Sequence, residues 1–307
     1  MTTPITSNPL LQRLIEDMTA RNSGPASQKH HIRACKKFSA WLGRSPDTAT
    51  PDDVRDFQRH LADMKLSVIT RNTTMTGLRF LFRVTMRRPD LAAEIFHLNE
   101  PQKVPVILDQ AEVRRLLLMT PKLRDRLMLS LGYGTGMRAG EVVKLRVKHI
   151  DSEQNIIRVE QGKGKKDRLV MLSPDMLASL REWWKERPKR WDADVPVGER
   201  LLFPGRKGAP MAVHSFNTIF HQSTKAAAIR KAVNLHSLRH SFATHLYDRG
   251  VDIRTIQALL GHDKLETTAR YARVATGLIT AVQSPLDLLD VPRVGRRKRK
   301  NGGSDKT

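Results

Sequence analysis

The sequence predicts a mainly α-helical protein with a small β-hairpin or sheet, built as a helical N-terminal domain followed by a larger mixed α/β domain. Three observations carry this. Apolar residues recur at helical spacing over most of the chain. Only one pair of short strand-like runs, 155–161 (NIIRVEQ) and 168–172 (RLVML), stands out, and it flanks a polar turn with two glycines. The stretch 97–107 contains two prolines and no helical period, so it reads as extended chain between two domains.

In the first domain, Ile32, Cys35, Phe38, Trp41 and Leu42 share a helical stripe within 26–44. Thr50-Pro51-Asp52-Asp53 supplies an N-cap, a proline at the first helical position and acids in the first turn. That helix presents Val54, Phe57, Leu61 and Met64 on one side. A fourth helix, about 67–87, carries Ile69, Leu78, Leu81 and Phe82. Arg71, Arg79, Arg83, Arg87 and Arg88 surround it; they read equally as phosphate contacts or as a solvated face. In the second domain Asp109 and Glu112 form a capping-box start to a helix bearing Val113, Leu116 and Leu117. Ser173-Pro174 opens another helix, and Gly250 and Gly261 sit where C-caps end helices 237–249 and 252–260. The boundaries that follow are 1–100 for the helical domain, 101–108 for the linker and 109–290 for the second domain. A basic tail, 291–307, has no apolar anchor and is expected to be disordered.

Composition narrows the function. The 307 residues contain one cysteine, Cys35, so no intrachain disulfide framework exists and a reducing cytoplasm fits. No apolar run approaches the length of a spanning helix, and the start, MTTPITSNPL, lacks a basic leader and an apolar core, so neither a membrane partner nor secretion is expected. The formal charge is +23, distributed as +6 over 1–103, +11 over 104–290 and +6 over 291–307. Positive excess in every segment points to a polyanion held along the whole molecule, and nucleic acid is the leading partner class.

Four segments of the second domain look assembled around an anion. In 134–141 (GTGMRAGE) a glycine-rich turn delivers Arg138 at a helix start, where a guanidinium can offer a forked pair of donors and Glu141 can hold it. The hairpin tip carries Lys163, with Lys165 and Lys166 beside it. In 236–240 (HSLRH), His236 and Arg239 are three apart and share a helix face, able to touch one phosphate. His236 and His240 also have the spacing of a zinc pair, but no third ligand or H-E-x-x-H pattern accompanies them, so no metal is expected. Finally His262 follows Gly261, and Tyr271 lies nine residues on in a polar, basic setting.

TGMRAGE, GKGKKDR, HSLRHSFATHL and LLGHDKLETTARY, in this order, resemble the tyrosine site-specific recombinases, or phage-type integrases. The resemblance covers residues 8–290, and LLQRLIEDMTARN and GLITAVQSPLDLL look most like integrases carried on bacterial mobile elements. It implies a helical, SAM-like core-binding domain and a mixed α/β catalytic domain. It places the family's catalytic set on Arg138, Lys163, His236, Arg239 and His262, with Tyr271 as nucleophile and Glu141 in support. Ala139 and Gly140 stand where bulkier residues are frequent, which weakens that helix start.

The implied activity is cutting and rejoining DNA strands through a 3′-phosphotyrosyl intermediate, in movement or resolution of a mobile element. Two arginines offset charge on the phosphate, Lys163 protonates the leaving 5′-oxygen, and no cofactor is required. The implied partner is double-stranded DNA with specific sites, clamped between the domains and held by a homotetramer on two sites, in a bacterial cytoplasm at the nucleoid. Arg71, Arg79, Arg83, Lys165 and Lys166 are the further DNA-contact candidates. A type IB topoisomerase would share the chemistry, but the compact N-terminal domain argues against it. A catalytically inactive DNA-binding regulator is opposed by the complete six-residue set.

Overall fold

A computed structural model describes residues 9–100, 105–160, 167–261 and 282–289. The chain divides into two compact units, Met1–Lys103 and Val104–Thr307.

The first unit is helical: α1 (Pro9–Ala20), α2 (Pro25–Leu42), α3 (Pro51–Asp63), α4 (Val68–Phe80) and the short α5 (Pro89–Ala93). Thr50 caps α3, as its sequence anticipates, and Asp53 completes a reciprocal capping box with it. Leu14, Met18, Phe38, Phe57, Leu61 and Phe82 are fully buried. Phe38 meets Phe57 and Phe82 edge-on, with ring centroids 5.1 and 5.6 Å apart.

The helical stripes overreach at two places. Met64 closes α3 as its C-cap and is 49% exposed, and Ile69, in the first turn of α4, is 59% exposed. Both sit at helix ends, where the helix no longer lies on the core. The fourth helix also does not run regularly to 87, because it passes into a π-helical turn, Leu81–Thr85. The arginines around it separate. Arg79 donates to the Ile95 carbonyl at 2.5 Å and so ties α4 to the chain after α5. Arg71 is half-buried, and Arg83 is exposed.

The second unit begins with α6 (Gln110–Leu118), whose Asp109–Glu112 capping box forms with bonds of 2.7 and 2.9 Å. Next come α7 (Leu123–Gly134) and the four-residue α8 (Ala139–Val142). An antiparallel sheet follows in the order β1 (Ile150–Asp151), β2 (Ile156–Val159) and β3 (Arg168–Met171), with Ile157 facing Val170. The two main strands fall where the β-branched runs place them. β1 is an addition, two residues long, too short for alternation to reveal it.

The remaining helices are α9 (Pro174–Glu186), α10 (Val213–Ala226), α11 (Leu235–Asp248) and α12 (Ile253–Leu260). Ser173 caps α9 through its hydroxyl, and Gly261 ends α12 in the left-handed region. A buried core runs through Leu129, Leu131, Val142, Ile157, Val170, Phe203, Phe220, Leu238 and Phe242. A short 3-10 turn, Pro285–Leu288, returns the chain to α7, where the Ser284 hydroxyl donates to the Gly134 carbonyl at 2.8 Å. Among the described residues no helix is long and apolar enough to cross a membrane. The hairpin tip 161–166, the segment 262–281 and the basic tail lie outside the described residues.

Candidate active site

Gly134 ends α7, and the chain turns through Thr135, Gly136 and Met137 to reach Arg138, the N-cap of α8. Gly136 makes the turn possible. Its φ is +64°, and a Cβ there would lie 2.6 Å from the Phe242 ring. Arg138 is held at both ends of the residue by one carboxylate. Its backbone N–H donates to Glu141 Oε2 at 2.7 Å and its Nη1 to Glu141 Oε1 at 3.0 Å. Nη2 reaches toward the Gly261 carbonyl at 3.4 Å. The side chain stays about a fifth exposed, so the guanidinium faces the surface while anchored beneath it.

The same carboxylate is gripped from the sheet. Arg168, first residue of β3, donates Nη1 to Glu141 Oε1 at 2.9 Å and Nη2 to Oε2 at 2.6 Å, a fork-to-fork pair. Its Nε donates to the Leu259 carbonyl at 2.9 Å. Burial pushes the Glu141 carboxyl upward, but the hydrogen bonds and charges of Arg168 and Arg138 overcome this and hold it down at about 2. Glu141 is therefore an anion at any working pH.

Arg239, in the first turns of α11, is 2% exposed. Its Nη1 donates to the Gly136 carbonyl at 2.7 Å and its Nη2 to the Leu260 carbonyl, while its buried Nε has no hydrogen-bond partner among the described residues. It thus joins the turn before Arg138 to the end of α12. Burial, and then the neighbouring charges of Arg138 and Arg168, lower its guanidinium to about 9, with Glu141 acting the other way. Among the described residues, two guanidiniums grip the Glu141 carboxylate and a third, Arg239, lies close enough to feel its charge. Such an arrangement lacks anionic charge and suits an added anion such as a phosphodiester.

The expected common face of His236 and Arg239 is only partly realised, because His236 is exposed at the helix start while Arg239 turns into the interior. His236 packs edge-on against His240, with centroids 4.5 Å apart, and its backbone N–H is capped by Asn234 at 2.8 Å. Among the described residues no group of three or more His, Cys, Asp or Glu side chains is placed to hold a metal ion. Lys163, Lys165, Lys166, His262 and Tyr271 lie outside the described residues. The structure does bring their flanks together: Gly261, next to His262, sits within reach of Arg138, and Arg168 follows the hairpin tip.

Sequence reasoning missed Arg168, and with it the carbonyls of Gly136 and Leu260 as arginine acceptors. A basic residue at a strand start reads as solvated, and its partner Glu141 is 27 positions away. Of the other two tyrosines, Tyr133 is fully buried and Tyr247 is 62% exposed on the far end of α11.

Comparison with known proteins agrees with this organisation. Residues 106–277 match the family described as "Phage integrase family", and residues 10–90 match "Phage integrase, N-terminal SAM-like domain". The protein y4qK of Sinorhizobium fredii, named as an integrase/recombinase, is 40% identical over 295 residues, covering 95% of this chain and 92% of that one. Tyrosine recombinase XerD of Pseudomonas putida is 34% identical over 257 residues, covering 78% and 83%. Among solved structures, XerH recombinase bound to difH substrate superposes with a TM-score of 0.66 at 24% identity, covering 87% and 82%. The Tn1549 transposon integrase in complex with circular intermediate DNA gives 0.59 at 19% identity, covering 85% and 94%. These two likenesses concern the fold. With one family profile spanning more than half of its length and relatives above 30% identity matched over most of theirs, the chain belongs to the phage integrase family and is a tyrosine recombinase.

Proposed function

We propose that this recombinase cuts and rejoins double-stranded DNA at specific sites through a 3′-phosphotyrosyl bond to Tyr271, in the movement or resolution of a mobile element. The observation that carries the reading is the charge balance of the site among the described residues: Arg138, Arg168 and Arg239 against Glu141. A pentacoordinate phosphorus carries extra negative charge on its non-bridging oxygens, and preorganised guanidiniums offset it. Arg138 is the member with surface access. A phenol with an ordinary pKa of about 10 attacks near neutrality only where cations favour its phenolate.

In the proposed step Tyr271 attacks as the phenolate, its proton having been released to solvent; its oxygen bonds to phosphorus and the bond from phosphorus to the 5′-oxygen breaks. Lys163 supplies the proton that the leaving oxygen takes up. His236, exposed at the start of α11, assists proton transfer, and His262 hydrogen-bonds the phosphate. The covalent link conserves the energy of the broken diester, so rejoining needs no external energy source. The family match over 106–277 includes Arg138, Lys163, His236, Arg239, His262 and Tyr271. DNA as partner is supported by that membership and by the net charge of +23; we further propose that two domains clamp each duplex and four subunits hold two sites.

Junctions sequenced from cells expressing the protein would define its site. On that DNA the purified protein should form a detergent-resistant covalent adduct, in EDTA as well as in Mg²⁺. Tyr271→Phe should bind the same DNA and form none. An adduct that persists in Tyr271→Phe, or one that requires Mg²⁺, would overturn the reading.

A further inference from the structure

We propose that Arg168 is a positioning residue of the strand-transfer site, setting Arg138 through Glu141 and fixing the hairpin strand against the end of α12. The proposal rests on the reading of Arg138 as a phosphate-binding group and adds a residue to it. Three features carry it. Arg168 grips both oxygens of Glu141, the carboxylate that also holds the backbone and the guanidinium of Arg138. Arg138 therefore cannot shift without breaking a four-bond network whose other half is anchored in β3. The third donor of Arg168, Nε, is spent on the Leu259 carbonyl of α12. Next to that contact the chain turns at Gly261, where a Cβ would lie 2.9 Å from Arg168 Cδ, so the turn leading to His262 is packed on this side chain.

One planar guanidinium thus spans three separate segments: β3, which follows the tip bearing Lys163; α8, which carries Arg138 at its cap; and the α12 terminus that precedes His262. Its side chain is 8% exposed, so it does not itself meet a ligand. A lysine retains the charge but has one nitrogen, and it cannot reach two carboxylate oxygens and a carbonyl in three fixed directions. A misplacement of about 1 Å at a reacting centre costs on the order of 10²-fold in rate.

The test uses the full-length protein on its own site, with an ordinary scissile phosphate and with a methylphosphonate that lacks one non-bridging charge. Arg168→Lys should slow single-turnover adduct formation by about 10²-fold while DNA affinity stays unchanged. Because the neutral phosphonate demands less of the arginines, the defect should shrink on it, as it should for Arg138→Ala. Glu141→Gln should show the same substrate dependence, and the double variant should be no slower than the slower single one. An undiminished rate in Arg168→Lys would overturn the proposal. So would a loss equal on both substrates and additive with Glu141→Gln, the mark of general destabilisation. Should Arg168→Lys fail to fold, Glu141→Gln alone decides, by shrinking or not shrinking its defect on the phosphonate. A wild-type protein that forms no adduct overturns the strand-transfer reading and this proposal with it, whereas a wild-type adduct matched by Arg168→Lys overturns the proposal alone.

Discussion

The Tyr133 hydroxyl and Nδ1 of His245 lie 2.8 Å apart, hydrogen-bonded across the buried seam between α7 and α11. Burial raises the phenol above its ordinary range and lowers the imidazole below its own, the latter against the opposing pull of Asp248 and Asp109. The pair is a structural bond, and it occupies the Tyr133 hydroxyl, in keeping with Tyr271 as the proposed nucleophile. Tyr133→Phe should leave adduct formation intact and cost about 1–3 kcal/mol of stability by stranding the ring nitrogen. Loss of the adduct in this variant, with its fold preserved, would reverse that assignment.

His245 also sets a pH dependence. An unfolded histidine titrates near 6.5, and the folded one is held lower, so the unfolded chain binds the proton first as pH falls. The stabilisation is complete above about pH 6.5 and fades below it. His240, lowered by burial and by Arg239, adds in the same direction. Melting temperatures from pH 8 to pH 5 should fall more steeply in the wild type than in His245→Gln. Parallel curves would show that the buried ring carries no linkage.

Gly136 supports both arginines through one backbone conformation. Gly136→Ala meets a positive φ and the Phe242 ring at once, costing on the order of 1–3 kcal/mol for each. Because the displaced carbonyl is an acceptor of Arg239, the surviving folded protein should cleave slowly as well. Calorimetry together with single-turnover cleavage measures both; normal cleavage in a destabilised variant would separate the turn from the site.

In the N-terminal unit the arginines should divide by their contacts. Arg83 is exposed, so Arg83→Ala should lower the slope of log affinity against log salt by about 1. Arg79 is bound to the Ile95 carbonyl, so Arg79→Ala should lower stability and leave that slope unchanged. The opposite pattern would mean that Arg79 turns outward onto DNA.

The helices, their caps and the two long strands were legible because each is written in local spacing: Thr50 with Asp53, Asp109 with Glu112, and Ile156 to Val159 against Arg168 to Met171. Arg138 with Glu141 was legible for the same reason, three positions apart on one turn. What spacing conceals is depth. His236 and Arg239 share a helix stripe, yet one is exposed and the other is 2% exposed, because the carbonyls that receive Arg239 come from Gly136 and Leu260, far away in the chain. Arg168 was concealed in the same way. Ile69 erred in the opposite direction, since its stripe continues past the edge of the core.

The burial of Arg239 also bears on when, during synthesis, the arginine cluster comes together. Its two carbonyl acceptors are contributed by segments on either side of α11, one of which, Leu260, is synthesised after it. A growing chain that has not reached α12 has an arginine with half of its partners, and an unmatched buried cation is too costly to hold in place. Nascent or truncated recombinase ending before that helix therefore carries no assembled arginine cluster. The arginine cluster of the proposed site is completed only with the finished fold.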